Sequence, residues 1–522
     1  DNFYLLRFAM AETAKKMSGA ETAEAYMNGD IPEGVQCTLL RNLFSHCSYC
    51  SCPIGKGPGW LAKDSAARCA QCGWVCCTRH VNTEGICRAC LDTAAFHNRK
   101  GVGISLVRSV VVVGTGMGGL AAALALKNRG VEDVTVLERT AELRTSGGPI
   151  NVQTNSMRAL LDVDPEVMAR VFDTAGPLDG DGAFKTIDGR VLFSSKLSTR
   201  KESRWGNPEG RSVVRGDLQQ VLYDRCVELG VNIRFGIKVI DVEQDTDRVT
   251  VIGEADGGDK HSLSADLLVA SDGIWSKVRQ AIFPKALAPI YQGYQMVVSR
   301  APASDFDQMS IDCWGEAWGK AHRFGFFRCG EGGTAMYYAR TCPQDLDEDK
   351  TQEELKQVMV DAVTENGYDD KLVELANAAE VSRIYRFPIR HLTPLSRHTS
   401  GRVVLLGDAA NAMPPNLGQG GGMALESASV LSQCLLIGES LDEALAKYET
   451  RRVGRCSMIA KESKTNGDLF QASNAVTVFL RNSLFSYLGK KQNKEEVGEL
   501  ELPDPFAYLF SYRLLSWPHQ AE

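Results

Sequence analysis

A glycine-rich turn at residues 114–119 has the residue types and spacing of a site for a dinucleotide pyrophosphate. Gly114 permits a tight turn, Gly116 lets the backbone approach the phosphates, and Gly119 lets a helix pack closely on a strand. The N-terminus of that helix faces the anion. Glu138 lies 24 positions after Gly114, where a carboxylate accepts hydrogen bonds from ribose hydroxyls. The predicted contacts to a dinucleotide, NAD or FAD, are Gly114, Gly116, Met117, Gly118, Gly119, Glu138 and Arg139.

Two later segments repeat the pattern of an apolar run that ends in an acid and glycines. The first run, at 266–270, leads into an Asp-Gly pair, and the second, at 403–406, leads into Gly-Asp and then a glycine loop before a helix. The N–H groups at such a helix start favour negative charge. Arg215, at the start of another helical segment, is a further candidate. The candidate residues of the two segments are Asp272, Gly273, Gly407, Asp408, Pro415, Gly418, Gly420 and Gly421.

The elements around the first turn indicate a parallel sheet. Val110–Val113 is a β-branched run, Leu120–Asn128 has a helical pattern, and Val134–Leu137 is the next apolar run. Strand, helix and strand in this order predict an α/β fold with a Rossmann-type domain, here 108–284 and 391–460. We predict that an interleaved substrate domain with an antiparallel sheet spans 285–390. The other predicted segments are an N-terminal helical segment at 1–45, a cysteine-rich module at 46–95, a linker at 96–107 and C-terminal amphipathic helices at 461–522.

The three glycine-bearing segments, in this order and spacing, resemble the group A flavin-dependent aromatic hydroxylases, and most of all their zeaxanthin epoxidase-like branch. That branch shares the Asp-Gly-Ile-Trp-Ser-Lys-Val-Arg stretch and the Pro-Asn-Leu-Gly-Gln-Gly-Gly stretch found here. The resemblance covers about residues 108–460. It implies an FAD-dependent monooxygenase that takes a hydride from NAD(P)H and inserts one atom of O₂ into an electron-rich substrate.

The resemblance also implies roles for single residues. Asp408 would hydrogen-bond the ribityl chain of FAD, and Arg215 would contact the FAD phosphates. The turn at 418–421 would face the pyrimidine end of the flavin, while Asp272 and Gly273 would serve both FAD and NAD(P)H. One departure is Asn411, which stands where the family usually has histidine. Because an asparagine cannot change charge near neutral pH, a proton relay at this position is in doubt.

The cysteines are concentrated at one end, with ten of 16 in the first 90 residues. Confinement to one end of a long chain is unlike a secreted disulfide scaffold and indicates thiols held for metal in a reducing compartment. Four pairs at CxxC or CxxH spacing predict two zinc ions, because zinc takes four sulfur or nitrogen ligands. Cys52 and Cys76 are spare thiols that could replace a neighbour. The eight predicted ligands are Cys47, Cys50, Cys69, Cys72, Cys77, His80, Cys87 and Cys90.

This block resembles FYVE-type cross-brace zinc fingers, in which the first and third ligand pairs share one metal and the second and fourth share the other. That pairing would give Cys47, Cys50, Cys77 and His80 one zinc, and Cys69, Cys72, Cys87 and Cys90 the second. FYVE-type lipid readers carry a basic run before the third cysteine, where this chain has Arg68 alone. We therefore expect the module to dock a protein partner rather than bind a phosphoinositide.

Composition limits the classes of protein that fit. With 522 residues, 44% hydrophobic and 24% charged, the chain matches a globular protein of several domains. A net charge of −7 argues against a nucleic-acid partner. The aromatic C-terminal segments could close the core or rest on a membrane surface. The expected compartment is intracellular and reducing, with a thylakoid-associated plastid location suggested by the resemblance and the cytoplasm as the alternative.

Two functions of different classes fit these patterns. The first is a monooxygenase acting on a hydrophobic small molecule, with epoxidation of a carotenoid-like polyene favoured over hydroxylation of a phenol. The second is a catalytically weak flavoprotein that serves as a structural or regulatory subunit of a membrane-associated assembly. It would dock through the cysteine-rich module and the C-terminal tail, and the change at Asn411 allows it.

Overall fold

The computed structural model describes residues 66–68, 75–99, 101–145, 147–178, 181–196, 210–255, 257–302, 313–329, 333–495 and 514. The predicted helical segment at 1–45 and most of the C-terminal tail beyond 495 therefore lie outside the described residues. So do four of the predicted zinc ligands, Cys47, Cys50, Cys69 and Cys72.

The described residues contain 21 β-strands. They are β1 (Ala66–Arg68), β2 (Val75–Cys77), β3 (Ser109–Val113), β4 (Asp133–Leu137), β5 (Pro149–Val152), β6 (Gly176–Pro177), β7 (Asp181–Thr186), β8 (Val191–Lys196), β9 (Arg211–Val214), β10 (Asn232–Arg234), β11 (Ile237–Gln244), β12 (Val249–Ala255), β13 (Lys260–Ala265), β14 (Leu267–Ala270), β15 (Ile290–Ala301), β16 (Trp314–Trp318), β17 (His322–Arg328), β18 (Thr334–Thr341), β19 (Tyr385–His391), β20 (Thr399–Ser400) and β21 (Val403–Leu405).

The described residues also contain twelve α-helices. They are α1 (Arg88–Arg99), α2 (Met117–Asn128), α3 (Thr154–Val163), α4 (Pro165–Thr174), α5 (Arg215–Glu228), α6 (Lys277–Ile282), α7 (Gln352–Glu365), α8 (Asp370–Asn377), α9 (Asp408–Asn411), α10 (Gly420–Ile437), α11 (Leu441–Phe470) and α12 (Ala475–Glu495).

The first large sheet has six strands in the order β10-β4-β3-β14-β21-β20. Its pairs are parallel except for β20 with β21. Central strands of a parallel sheet are covered on both faces, which explains the uninterrupted valines of β3. Helices α2 and α10 cover one face, and the small sheet β11-β12-β13 covers the other. The α/β prediction with a parallel sheet is therefore confirmed.

The second large sheet has seven strands in the order β19-β15-β18-β17-β16-β7-β8. All its pairs are antiparallel except β16 with β7. Helices α7 and α8 pack on one face. The sheet predicted within 285–390 is present, and it also includes β7 and β8 from residues 181–196. On its opposite face, Val298 lies against Gly148, so that face is turned toward the segment that leads into β5.

The last two helices join these regions. Helix α11 begins after a Ser440 side chain that accepts the Glu443 N–H, and its 30 residues run from the parallel-sheet side to the second sheet. Helix α12 packs on β8. Within the described residues, no helix combines the length and the apolar character needed to cross a membrane.

Candidate functional site

The turn after β3 is built so that only glycine fits at two of its positions. Gly114 has φ +101°, and a Cβ there would lie 2.6 Å from the Ser271 carbonyl oxygen. A Cβ on Gly119 would lie 2.0 Å from the Gly114 carbonyl oxygen. Gly116 differs, because no heavy atom lies within 4 Å of its Cβ position. The start of α2 is thus held tightly against the sheet while its backbone at Gly116 faces open space.

Glu138, the residue after β4, supports this turn. Its Oε2 accepts hydrogen bonds from the Thr115 N–H and hydroxyl at 2.9 and 2.8 Å, and its Oε1 accepts one from the Thr140 N–H at 3.1 Å. Burial alone would raise the pKa of Glu138, but these hydrogen bonds hold it below its ordinary value. The carboxylate is therefore ionised at neutral pH. Arg139 beside it is exposed.

The three glycine-bearing segments meet at one place. A Cβ on Gly118 would lie 2.7 Å from Leu406 Cδ2, 3.0 Å from Ala424 Cβ and 3.2 Å from Ser271 Oγ. Gly407, with φ +59°, faces Ala424 in the same way at 3.3 Å. The turn after β3, the turn after β14, the end of β21 and the first turns of α10 therefore converge at the carboxyl ends of parallel strands, and the space that they border is called the crevice below. This is where open α/β sheets bind ligands.

The start of α10 lies at the same crevice. Gly418 adopts a left-handed conformation with φ +62°, and nothing lies within 4 Å of a Cβ built on Gly420. A Cβ on Gly421 would lie 3.0 Å from Met117 Cε, so the starts of α10 and α2 are adjacent. Pro415 is exposed just before this turn. Two helix N-termini thus turn their unpaired N–H groups to one space, which favours an anionic ligand.

Asp408 and Arg215 come together here from distant parts of the sequence. Asp408 begins α9 and opens to the crevice, and Arg215 is exposed at the start of α5. Protein surrounding the crevice raises the pKa of Asp408, and the Arg215 guanidinium acts in the opposite direction. The Arg215 side chain lies along Gly147, whose Cβ position is 3.2 Å from Arg215 Cδ.

The Asp272-Gly273 pair holds a helix start. Asp272 Oδ2 accepts hydrogen bonds from the Lys277 and Val278 N–H groups at 2.8 and 3.3 Å. Burial raises the pKa of Asp272, which these bonds only partly offset. Its buried Oδ1 has no hydrogen-bond partner among the described residues. Gly273 has φ +79° and open space around its Cβ position.

These features fit a dinucleotide with a flavin. Open space borders Gly116, Gly273 and Gly420, and two helix N-termini face it. The carboxylate of Asp408 and the guanidinium of Arg215 lie at its edge. The buried Oδ1 of Asp272 leaves an acceptor available. Asn411 lies beside this crevice in α9, buried, and its Oδ1 has no hydrogen-bond partner in the described parts of the chain.

A polar network behind the crevice escaped the sequence patterns. Asn155 on α3 donates to Glu426 on α10 at 2.7 Å and to Gln419 at 2.9 Å. Gln153 donates to the Leu417 carbonyl at 3.0 Å and accepts from Gln419. The asparagine and the two glutamines of this network have no distinctive spacing, so no signal in the sequence marked these residues.

A second network links the seven-stranded sheet to the loop before α10. Arg323 on β17 donates to Glu316 on β16 at 2.7 Å and to Asn416 Oδ1. The Tyr294 hydroxyl donates to the same Asn416 oxygen at 3.1 Å. Asn416 in turn donates to the Ser463 carbonyl at 2.8 Å. The loop beside the crevice is therefore held from the sheet and from α11 at once.

Only four of the eight predicted zinc ligands lie within the described residues. Among those residues no group of three or more His, Cys, Asp and Glu side chains is arranged to hold a metal ion. Cys77 ends β2, His80 ends a short 3₁₀ turn at 78–80, and Cys87 and Cys90 are buried at the start of α1. With the other four predicted ligands outside the described residues, zinc stays a prediction.

Known proteins share both sequence and fold with this chain. Residues 108–463 match the family described as FAD binding domain. The chain is 33% identical over 379 residues to the aurachin C monooxygenase/isomerase of Stigmatella aurantiaca, covering 72% of this chain and 93% of that protein. It is 36% identical over 324 residues to the chloroplastic zeaxanthin epoxidase of Arabidopsis thaliana, covering 61% of this chain and 46% of that protein. The chain spans about half the length of the zeaxanthin epoxidases that it matches.

The fold matches that of solved flavoproteins. Klebsiella pneumoniae HpxO, solved with FAD and uric acid, superposes with a TM-score of 0.66 at 24% identity, covering 74% of this chain and 95% of that one. Fold, crevice and sequence together define a flavoprotein with a dinucleotide crevice. The chain belongs to the group A family of FAD-dependent monooxygenases, and FAD is its cofactor.

Proposed function

We propose that the protein uses NAD(P)H and O₂ to insert one oxygen atom into an electron-rich, hydrophobic substrate. A hydride from NAD(P)H and two electrons from the substrate reduce O₂, so that one oxygen atom enters the product and the other leaves as water. The observation that carries the proposal is the convergence of three glycine-bearing turns on one crevice. The relatives named a monooxygenase/isomerase and an epoxidase support it.

Bound FAD supplies the redox chemistry, and the protein supplies position and surroundings. The N–H groups at Gly116 and the start of α2 would receive the pyrophosphate, and Arg215 would pair with it. Glu138 would accept from the ribose and Asp408 from the ribityl chain. The N–H groups at 418–421 would face the pyrimidine end of the flavin and stabilise the negative charge that it gains on reduction.

The substrate would lie between the crevice and the seven-stranded sheet. On the sheet face turned to the crevice, Met296 and Val298 of β15 pack with Ile389 of β19 into an apolar surface. An apolar wall excludes water from the reacting atoms, which favours a hydrophobic substrate. Epoxidation of a carotenoid-like polyene, favoured over phenol hydroxylation from the sequence, stays a prediction on this point.

The test is the reduction of the flavin in the purified full chain. NADPH or NADH is added without oxygen, alone and with a polyene, an alkylated quinolone or a simple phenol, and the bleaching of the flavin absorbance is followed. We expect one class of compound to speed bleaching and, with O₂, to yield a product one oxygen heavier. A flavin that stays oxidised with every compound would contradict the enzyme and favour the structural-subunit alternative.

We also propose that residues 46–95 bind two zinc ions and dock a protein partner. Strands β1 and β2 form an antiparallel pair, and the residues between them in the sequence include Cys69 and Cys72. Cys87 and Cys90 are buried where α1 begins. Because Arg68 pairs with Val75, the two ends of the sequence segment that contains Cys69 and Cys72 lie together, which supports the second of the two predicted sites.

Contact with a membrane surface is a further proposal. Helix α12 exposes an apolar face, which supports an interfacial position for it. A reducing intracellular compartment, a plastid by resemblance or the cytoplasm, remains the proposed location.

A further inference from the structure

Three charged side chains form a buried cluster between α10 and α11. Arg452 Nη1 donates to Glu426 Oε2 at 2.7 Å, and Arg455 donates from Nε to Oε2 at 2.9 Å and from Nη2 to Oε1 at 2.8 Å. All three side chains are at most 1% exposed. This cluster is called the Glu426 triad below. The formal charges of its two guanidinium groups and one carboxylate sum to one positive charge.

The charge states within the triad are defined by its geometry. Burial would raise the pKa of Glu426, but Arg455 and Arg452 together hold it below its ordinary value, so the carboxylate is ionised. Burial shifts the pKa values of two titratable neighbours toward the neutral form of each side chain. Burial and Arg452 lower the pKa of His398 to about 3, and burial raises the pKa of Glu462, which faces Arg455, to about 8.

The triad is connected to the start of α10 through one hydrogen-bonded residue. Asn155 donates to Glu426 Oε1 and also to Gln419, the residue just before α10 begins. Glu426 lies on the same helix, six positions beyond Gly420, or about 9 Å along its axis. The positive charge of the triad therefore lies further along α10 than the N–H groups that face the crevice. Its field adds to that of the positive N-terminal end of the helix dipole.

We propose that the Glu426 triad raises the reduction potential of the bound flavin, acting as a positioning and charge element behind α10. The inference rests on the proposed placement of the pyrimidine end of the flavin at residues 418–421. A buried charge is screened less than an exposed one, so its field reaches the flavin across the helix start. Reduction adds negative charge to the flavin, and a net positive charge stabilises that reduced state.

The test measures the midpoint potential of FAD in the full-length holoprotein by anaerobic titration with a reference dye. Glu426→Gln raises the net charge of the triad and should shift the potential upward. Arg455→Met removes a positive charge and should shift it downward. The double variant E426Q/R455M restores one net positive charge and should return the potential toward the wild-type value. Arg455→Lys keeps the charge with altered geometry and should leave the potential near wild type.

Arg225→Met is the control, because it also removes an arginine charge that is paired with a buried carboxylate, Asp164 at 2.9 Å, and its partners Asp164 and Glu228 lie outside α10 and α11. Its potential should equal that of the wild type. Shifts of the two single variants in the same direction, or no shift in either, would overturn the proposal, since a merely structural role does not depend on the sign of the charge. If one single variant fails to fold, the other still decides, because its shift must have the sign of its own change in charge.

The outcome separates this inference from the proposed function. Variants that bind FAD and oxidise NAD(P)H with substrate, but show unshifted potentials, would refute the charge effect alone. A wild-type chain whose flavin is not reduced would remove the proposed function first.

Discussion

Gly116 and Gly119 belong to the same turn, but Gly119 is packed against the protein backbone and Gly116 is not. A Cβ on Gly119 would meet the Gly114 carbonyl oxygen at 2.0 Å, so glycine is needed there for the protein to fold. Gly116 has an extended backbone, φ −63° and ψ 166°, that alanine adopts freely, and no protein atom lies within 4 Å of its Cβ position. At Gly116 glycine is therefore explained by the cofactor rather than by the protein.

Substitution of Gly116 by alanine tests where the pyrophosphate lies. We expect the apoprotein to melt as the wild type does, while FAD affinity falls at least tenfold, about 1.4 kcal/mol, because the new methyl group occupies the space of the phosphates. Thermal unfolding of the apoprotein and flavin fluorescence titration measure the two quantities. Gly367→Ala is the control. Gly367 has φ +70° and open space around its Cβ position, so alanine there should cost about 1 kcal/mol of stability but leave FAD affinity unchanged. Wild-type FAD affinity in Gly116→Ala would show that the pyrophosphate lies elsewhere.

Among the elements, α12 has one face fixed to the sheet and one face in solvent. Arg481 donates to the carbonyl oxygens of Phe470 and Gly319 at 2.8 and 3.0 Å, and Phe485 packs edge-on against Trp318. The opposite face exposes large apolar side chains at helical spacing, and an exposed lysine follows them. These residues are Val476, Phe479, Leu480, Tyr487 and Lys490.

The exposed face of α12 should bind lipid. Phe479 and Leu480 are 69% and 60% exposed, and burying such a side chain yields about 1.5–3 kcal/mol. We expect the full chain to sediment with vesicles containing phosphatidylserine, because Lys490 complements an anionic surface. The variant F479Q/L480Q should lose most of this binding. A matched pair of exposed residues on other elements, V227Q/L287Q, should keep it, and equal binding by both variants would reject α12 as the contact.

For the molecule as a whole, zinc and FAD are assigned to different regions. The cysteine-rich module is predicted to bind zinc, and the flavoprotein region binds FAD. The predicted pairing assigns Cys69 and Cys87 to one zinc and Cys77 to the other. Because a tetrahedral zinc site needs all four of its ligands, the number of zinc ions that a cysteine variant retains tests the pairing.

Metal analysis of the purified chain should therefore give two zinc ions in the wild type. One ion should remain in C69S/C87S, because both residues serve the same site, and almost none in C69S/C77S, which damages both sites. Cys313→Ser, outside the module, is the control and should retain two. Equal zinc loss in the two double variants would contradict the cross-brace pairing, and a wild-type chain without zinc would contradict the module.

Local chemistry made the glycine turns and the parallel sheet predictable. Gly119 meets the carbonyl oxygen of Gly114, five residues away, and the valines of β3 report burial on both faces of a strand, so each signal is complete within a short stretch. The same logic predicted the strands of 285–390. It did not predict that β7 and β8 extend that sheet, because strand pairing across a long separation leaves no mark in either segment.

The amino-acid sequence alone determined the α/β class of fold and a turn suited to a dinucleotide, since these follow from backbone freedom and short-range periodicity, while the choice of FAD came from the resemblance to a family. Only the tertiary structure decided that Arg215 acts on Asp408, that Asn416 is held by Arg323, and that Glu426 is enclosed by Arg452 and Arg455. Each of these contacts joins side chains of common types from separate elements. Their meaning lies in distance and burial, which exist only once the chain is packed.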